Sequence, residues 1–486
     1  MNGLESFIKD NDFVFGSKNY DDDFHTDVIF YRASCDGIKE YIGDCHQKMI
    51  AFHGNFTSSF YYSRAKTKSL CKRILKRLTD DEGFFNAFEE RYRSVCTALE
   101  DCWEGEEKTL IEVYKKQYAC QKELYRYCWP FEILQTEFGI EPEIRTRLKA
   151  QGLLTEEIEN VLYRYELNSD NVYYTEKLAI EKICEKIRKN TEYTQVFKNP
   201  IKHLVMLLPS ELREEIVQVE EKYKYLYYHG FSDRKLPNLY DYVVKVKECL
   251  LNPAYIEKRL PLNGGEWDFE TGRLLACYHK LSALKSIRRL AQLKNFYYLD
   301  LWIAKAAEKL KVSEAVLRHM LPEEVIAFCE KGEYPQDAER RVASLIYVYD
   351  DGRESVISGE TEQEYYENLI RQNGKGVEDV IQGKVACRGY VKGRVLKVLR
   401  CEDAVGVDKN TVIFTHEGDP DLLPVLKKAG AIVCEQGGIT CHMAIIAREY
   451  GIPCIIGVGN CLINGFKNGE IVEVDAVNGY LQRSKL

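Results

Sequence analysis

The sequence predicts a multidomain protein in which a large, mainly helical N-terminal region precedes a C-terminal α/β domain. Two changes of composition near residue 383 support this prediction. Residues 383–486 contain 14 of the 32 glycines, whereas 30 of the 33 tyrosines lie before residue 383. The last 104 residues carry 13 Lys+Arg against 11 Asp+Glu, so the net charge of −8 comes from the N-terminal part. A chain of 486 residues is long enough for several domains.

The overall composition excludes several classes of protein. Hydrophobic residues make up 45% and charged residues 30% of the chain, as in ordinary globular proteins. The start of the sequence lacks a secretory signal, and no apolar run is long enough to span a membrane. The negative net charge argues against nucleic acid as a partner. We therefore expect a cytoplasmic protein with no membrane or nucleic-acid partner; the final Ser484-Lys485-Leu486 would indicate peroxisomes only in a eukaryote.

The cysteines and histidines give no metal-binding pattern. The 17 cysteines are an odd number and include no C-x-x-C pair, which is typical of reduced thiols in the cytosol. We therefore predict no metal site. For eight of the nine histidines we expect structural or surface roles: His25, His46, His53, His203, His229, His279, His319 and His416.

The last part of the N-terminal region gives the clearest helix signals. Residues 281–310 contain no Gly or Pro and have apolar side chains at helical spacing, which predicts a long helix. Ser313 is a good N-cap for the next helix. Pro322 suits the first turn of a further helix that Gly332 would end. Residues 84–127, 174–190 and 210–228 are also charged and periodic, which predicts helices with less sharply marked ends.

A hairpin and a short helix precede the change of composition. Residues 345–349 and 354–357 read as two strands around Asp350-Asp351-Gly352. Thr361-x-x-Glu364 is a capping box for a helix that Gly374 would close. We divide the chain into a mainly helical region of unknown role, a helical region with the hairpin, a linker and a C-terminal domain, covering residues 1–270, 271–372, 373–382 and 383–486.

The C-terminal domain reads as short strands that alternate with helices. Its predicted helices lie near residues 421–429 and 441–450. Its predicted strands are Val391–Leu399, Thr411–Thr415, Ala431–Glu435, Cys454–Val458 and Ile471–Asp475. This alternation is typical of an α/β domain, here with a helix directly after a glycine pair.

The segment from Glu435 to Pro453 carries the chemical signal. A predicted buried strand ends at Glu435, and Gly437-Gly438 after it allows a tight turn. Thr440 is a plausible N-cap, which puts His442 in the first turn of the next helix. Free N–H groups and the positive end of the helix dipole make that turn an anion site. A neutral imidazole there can attack phosphorus, and a solvated first-turn histidine is the alternative interpretation.

The same segment resembles the phosphohistidine signature of the PEP-utilising enzymes, which include PEP synthase, pyruvate phosphate dikinase and rifampicin phosphotransferase. The matching residues are Gly437, Gly438, Thr440, Cys441, His442, Ala444, Ile445, Ala447, Arg448, Gly451, Ile452 and Pro453. Cys441 stands where serine is commoner, and Met443 stands where the family has a small residue. The similarity extends over about 104 residues, from Gly383 to the end of the sequence.

The resemblance implies a swivelling domain whose histidine carries a phosphoryl group between two other active sites. By this resemblance His442 is the catalytic carrier, and Gly437, Gly438, Thr440 and Cys441 bind the phosphate. Arg448 is a candidate charge partner of that phosphate. On an ideal helix it lies on a different face from His442, so a structural salt bridge is the other interpretation.

The rest of the sequence bears on the donor and the acceptor of the phosphoryl group. We find no nucleotide-binding pattern, so we expect no cofactor in this chain and no ATP hydrolysis by it alone. ATP and Mg²⁺ are expected on a separate ATP-grasp partner, or PEP on a PEP-binding protein. We expect no barrel domain after residue 486. The order of a helical region before the histidine domain loosely resembles rifampicin phosphotransferase, which makes residues 271–372 a possible acceptor-binding part.

Two functions remain open at this point. In the first, the protein is a phosphotransferase component that passes the phosphoryl group from His442 to an unknown small-molecule or protein acceptor on the helical region. In the second, it is a non-catalytic phosphocarrier or regulatory module that binds another protein. A neighbouring gene for an isolated ATP-grasp domain would favour the first function. The absence of such a gene, or an occluded His442, would favour the second.

Overall fold

A computed structural model gives the fold. It describes residues 2–20, 23–54, 56–104, 109–134, 138–167, 171–228, 230–231, 234–252, 267–359, 363–373, 380–398, 403–415, 422–435, 442–458 and 466–484. The chain folds into two compact units. The N-terminal unit contains residues 1–158 and 164–374, and the C-terminal unit contains residues 159–163 and 375–486. The predicted fold class is confirmed, because the first unit is mainly helical and the second is α/β.

Helices form most of the N-terminal unit. A π-helical segment, Ala33–Gly37, follows α2, and a 3₁₀ turn, Lys224–Tyr227, follows α12. In chain order the α-helices are α1 (Asn2–Lys9), α2 (Phe24–Arg32), α3 (Lys39–Ile42), α4 (Arg64–Asp80), α5 (Glu82–Asp101), α6 (Leu110–Leu134), α7 (Ile140–Ala150), α8 (Thr155–Leu167), α9 (Val172–Lys189), α10 (Thr191–Phe197), α11 (Ile201–Leu207), α12 (Ser210–Tyr223), α13 (Leu239–Leu251), α14 (Phe269–Leu310), α15 (Glu314–Arg318), α16 (Pro322–Lys331), α17 (Ala338–Ala343) and α18 (Gln363–Asn373).

The predicted helix signals before the hairpin are confirmed. The stretch 281–310 lies within α14. The Ser313 side chain accepts a hydrogen bond from the Val316 N–H and so caps α15. Helix α16 begins at Pro322 and ends at Gly332, whose φ of 75° is left-handed. Thr361, on which the predicted capping box depends, lies outside the described residues.

A five-stranded antiparallel sheet lies within the N-terminal unit. Its strands, in the order β1-β3-β2-β4-β5 across the sheet, are β1 (Phe13–Tyr20), β2 (Lys48–Gly54), β3 (Thr57–Ser63), β4 (Leu345–Asp350) and β5 (Arg353–Ser358). Strands β4 and β5 confirm the predicted hairpin. The other three were missed. Residues 49–53 of β2 are buried without alternation, so the period of two that marks a half-exposed strand is absent.

The predicted boundary between residues 270 and 271 is wrong. Helix α14 begins at Phe269 and continues through that point. Strand β2 pairs with β4, which joins residues 48–53 to residues 345–350 in one sheet. Both parts of the chain therefore contribute to the same hydrophobic core.

The C-terminal unit is built on an eight-stranded mixed sheet. Four central strands are parallel and the outer ones antiparallel, in the order β6-β13-β12-β8-β9-β10-β11-β7. The strands are β6 (Val380–Gln382), β7 (Lys384–Cys387), β8 (Tyr390–Lys397), β9 (Thr411–Thr415), β10 (Ala431–Cys434), β11 (Cys454–Ile456), β12 (Ile471–Asp475) and β13 (Tyr480–Arg483), with helices α19 (Leu423–Leu426) and α20 (His442–Tyr450).

The predicted linker, residues 373–382, needs correction at both ends. Asn373 is the last residue of α18, and Val380–Gln382 form β6, which pairs with β13. Ile381 is buried in the core of the sheet. The sequence did not reveal β6 because a three-residue strand is too short to show a period. Residues 374–379 lie outside the described residues.

The position of β6 predicts where the C-terminal unit can be cut. A fragment of residues 375–486 should fold on its own, since it holds a complete sheet and core. A fragment of residues 383–486 lacks β6 and Ile381, and we expect it to be less stable by about 2 kcal/mol or more. Urea unfolding of the two fragments measures the difference. Equal free energies of unfolding would show that β6 does not contribute to this core.

Candidate functional site

The carboxyl ends of three parallel strands meet at one edge of the C-terminal sheet. Strands β9, β10 and β11 lie side by side in register. The N–H of Glu435 donates to the Thr415 carbonyl at 3.0 Å, and the N–H of Val458 donates to the Cys434 carbonyl at 3.3 Å. Thr415 and Glu435 are both buried. In parallel α/β sheets this edge is where ligands bind.

Helix α20 follows β10 and begins at His442. Met443, Ala444, Ile446 and Ala447 are buried, so one face of the helix belongs to the core. The helix ends at Gly451, whose φ of 62° is left-handed, and the N–H of Ile452 donates to the Ala447 carbonyl at 2.9 Å. The chain therefore holds His442 in a first helical turn on a rigid support.

The other predicted phosphate-binding residues can be placed only in part. Gly437, Gly438, Thr440 and Cys441 lie outside the described residues, and their contacts stay predictions. The departure at Met443 has a structural account, since this side chain is fully buried in the domain core.

Comparison with known proteins identifies this domain. Residues 407–479 match the family model described as PEP-utilising enzyme, mobile domain. The C-terminal domain is a PEP-utilising enzyme mobile domain. Phosphoenolpyruvate synthase of Pyrococcus furiosus is 28% identical over 191 residues, which are 37% of this chain and 23% of that protein. The Aeropyrum pernix synthase is 41% identical over 103 residues, which are 21% of this chain and 12% of that protein.

The similarity covers only a small part of the length of each relative. The phosphoenolpyruvate synthase of Neisseria meningitidis is 36% identical over 135 residues, which are 28% of this chain and 16% of that protein. The chain thus spans less than a quarter of the length of the first curated relatives it matches. A solved structure, Thermococcus kodakaraensis aconitase X, covers 22% of this chain at 21% identity with a TM-score of 0.18. No described helix is both long and apolar enough to cross a membrane.

Arg448 lies in the last turn of α20 in the mobile domain. Its side chain is half-buried. Its positive charge lowers the pKa of the Cys387 thiol on the edge strand β7. Burial has the larger effect, so the pKa of that thiol is raised on balance. Arg448 therefore lies near the edge strand β7, at the C-terminal end of α20. Its contact with a phosphate stays a prediction.

A buried cluster of charged and polar side chains lies in the N-terminal unit, and the sequence did not predict it. We call it the histidine–arginine cluster: Asp23, His25, Asp27, His53, Asp300, Arg318 and His319. All seven side chains are buried. They come from α2 and its N-cap, from β2, from α14, and from the end of α15 and the residue after it. Regions distant in sequence meet here, and Arg318-His319 is the only pair of neighbours in the sequence.

Arg318 is the central cation of this cluster. Its Nη1 lies 3.1 Å from the Asp23 carboxylate and 2.5 Å from the Asp300 carboxylate. Burial opposes the charge of Arg318, but the two aspartates prevail and raise its pKa. Burial also raises the pKa of Asp300, whose carboxylate accepts a hydrogen bond from the Tyr228 hydroxyl. Removing one partner from such a buried pair costs about 3–5 kcal/mol.

The three histidines of the cluster are neutral. Burial lowers the pKa of His25, His53 and His319, and in His53 the nearby His319 adds to this effect. The His53 Nε2 lies 2.9 Å from the Tyr31 hydroxyl, which donates to the Asp27 carboxylate at 2.9 Å. Neutral imidazoles beside ordered carboxylates can accept a proton. Of the other histidines with predicted structural or surface roles, His229 and His416 lie outside the described residues.

Two aromatic rings cover one side of the cluster. The half-buried rings of Phe56 and Phe231 have centroids 4.9 Å apart. Phe56 also contacts His319, with 5.5 Å between ring centroids, and the Phe231 centroid lies 4.0 Å from the Arg318 guanidinium carbon. Phe56 has a φ of 59°, which is strained for a bulky residue. Strain of this kind concentrates at functional positions.

The neutral histidines predict a specific pH dependence of stability. In the unfolded chain His53 takes up a proton near its ordinary pKa of 6.5, whereas in the folded protein its pKa lies well below that value. The contribution of neutral His53 to the free energy of unfolding is therefore fully present above pH 6.5 and is lost as the pH falls below that value. We expect His53→Gln to reduce the loss between pH 6 and pH 5 by about 1 kcal/mol.

The measurement is urea unfolding of the full chain at several pH values. His203→Gln is the matched control, because His203 is exposed. Equal pH slopes for the wild type and His53→Gln would show that folding does not lower the pKa of His53.

Proposed function

We propose that this protein is a phosphotransferase component in which His442 carries a phosphoryl group from a separate partner to an acceptor on the helical unit. The observation that supports this most directly is the place of His442. It opens a helix at the carboxyl edge of the parallel strands in a mobile domain of the PEP-utilising type. The relatives named phosphoenolpyruvate synthase support phosphoryl transfer as the reaction.

The first half of the reaction loads His442. The partner is an ATP-grasp protein that uses ATP and Mg²⁺, or a protein that binds PEP. The neutral imidazole of His442 attacks phosphorus, the bond from phosphorus to its leaving oxygen breaks, and the ring loses one proton. The N-terminal end of α20 stabilises the negative charge of the phosphoryl group. Gly437, Gly438, Thr440 and Cys441 precede this end and are the proposed phosphate contacts.

The second half takes place at the histidine–arginine cluster. The acceptor is a molecule with a hydroxyl or amine group, because the cluster offers neutral bases and carboxylates, and its cation is already paired with Asp23 and Asp300. His53, held by Tyr31 and Asp27, takes the acceptor proton. The new bond to phosphorus forms as the N–P bond of His442 breaks, and the His442 ring regains a proton. Phe56 and Phe231 would have to move to admit the acceptor.

Phosphorylation of His442 is the first expected outcome. The full chain is incubated with the cognate ATP-grasp protein and labelled ATP, or with the PEP-binding protein and labelled PEP. The label should be lost in acid and kept in alkali, as for a phosphoramidate, and mass spectrometry should map it to His442. His442→Ala should abolish it, and the exposed-site control His203→Ala should keep it in full. Label that persists unchanged in His442→Ala refutes the proposal.

The acceptor step has its own expected outcome. The labelled protein is freed of donor and mixed with the small-molecule filtrate of a cell lysate of the source organism. We expect the filtrate to remove the label from the wild type. His53→Gln should load normally and keep the label at least tenfold longer, since a general base contributes about 10²–10⁴ in rate.

His203→Gln is the control for the acceptor step and should behave as the wild type. If only the protein fraction of the lysate removes the label, the protein is a phosphocarrier for another protein. If the filtrate discharges His53→Gln as fast as the wild type, the histidine–arginine cluster is not the acceptor site.

A further inference from the structure

Three potential metal ligands converge between two helices of the N-terminal unit. Glu181 and Cys184 are three residues apart on α9 and share one face of that helix. Cys249 is on α13, which packs against α9. The two thiol sulfurs and a carboxylate oxygen all lie within 4.8 Å of one another. This cluster is separate from the mobile domain and from the histidine–arginine cluster.

Hydrogen bonds and one ion pair hold the three groups of this cluster in place. The Cys249 thiol donates to the Glu181 Oε2 at 2.8 Å, and the Cys184 thiol donates to the Val246 carbonyl at 3.4 Å. Both cysteines are fully buried, and Glu181 is half-buried. Arg188 binds the other oxygen of Glu181, with its Nη1 2.6 Å from Oε1. The carboxylate is therefore fixed in the orientation that points Oε2 at the thiols.

The chemistry of these ligands selects the ion. Two thiolates and one carboxylate suit Zn²⁺, which prefers sulfur and nitrogen donors in a tetrahedral site and also accepts carboxylate oxygen. We propose that Glu181, Cys184 and Cys249 form a zinc site that joins α9 to α13, with a water molecule as the fourth ligand. The proposal does not depend on the phosphotransferase function.

The charges of such a site balance. Zn²⁺ with two thiolates and one carboxylate has a net charge of −1, and the neighbouring guanidinium of Arg188 compensates it. Binding releases two thiol protons to solvent.

An open groove of about 310 Å³ lies close to the proposed site, and Ile187, Arg188, Leu250 and Leu251 are among the residues that line it. Arg188 thus lies both at the groove and on the Glu181 carboxylate. The sequence did not predict this site, because its ligands do not form a C-x-x-C pair and Cys249 follows Cys184 only after 65 residues.

Cobalt titration tests the proposal. The full chain is reduced, freed of metal with a chelator and titrated with Co²⁺ under a phosphine reductant. We expect one equivalent of Co²⁺ to give sulfur-to-cobalt charge-transfer absorption and the strong visible bands of tetrahedral cobalt. Zn²⁺ should displace the cobalt and remove both signals. Cys184→Ser and Cys249→Ser should each weaken cobalt binding at least tenfold, and Glu181→Gln should weaken it as well.

Cys277→Ser is the matched control, because Cys277 is a buried cysteine of another helix, α14, and should leave the titration unchanged. Circular dichroism checks that each variant is folded. If a cluster variant does not fold, alkylation of the folded wild-type protein answers the question: under native conditions, bound Zn²⁺ should slow the reaction of Cys184 and Cys249 with a maleimide and leave that of Cys277 unaffected. The absence of charge-transfer absorption in the reduced wild type, or an unchanged titration in the double variant Cys184→Ser/Cys249→Ser, overturns the proposal.

Discussion

The pairing of β2 with β4 is the constraint on which the N-terminal unit depends. It joins residues 48–53 to residues 345–350, and the chain between them has to return to the same sheet. His53 lies at the end of this pairing, opposite Leu345. The same closure brings Asp23 on the N-terminal side of α2 to Arg318 on α15. The histidine–arginine cluster is therefore a consequence of long-range strand pairing and not of any local motif.

The two proposed sites differ in charge and therefore suit different ligands. In the mobile domain the start of α20 offers N–H groups and a positive dipole end, which suit an anion. In the histidine–arginine cluster Arg318 is already neutralised by Asp23 and Asp300, and the imidazoles are uncharged. A free phosphate would meet carboxylates there. This difference suits a division in which His442 holds the phosphoryl group and the N-terminal unit supplies the base.

The sequence predicted the elements whose signals are local. The long helix α14, the Ser313 cap and the Pro322–Gly332 limits of α16 each depend on residues a few positions apart, and all are confirmed. Five strands of the mobile domain, β8 to β12, are predicted correctly because Gly and Pro residues separate short apolar runs, whereas β6, β7 and β13 are not among the predicted strands. His442 was found because a contiguous signature surrounds it. Its position at a helix start agrees with that signature, while its contacts with Gly437 and Thr440 remain predictions.

What the sequence could not predict depends on distance along the chain. Strand β2 is buried on both faces and shows no period, and although β3 follows it directly, its other partner, β4, lies about three hundred residues away. His25, His53 and His319 each look like ordinary core or surface histidines in their own segments. Only the fold shows that they are buried together, with hydrogen bonds to backbone carbonyls and tyrosine hydroxyls. Burying this many polar groups is costly unless each finds a partner, which is why the cluster is a stronger indication of function than any one of its histidines. The strained backbone of Phe56 at its cover points the same way, because a glycine would adopt this φ without strain and strain of this kind concentrates at functional positions.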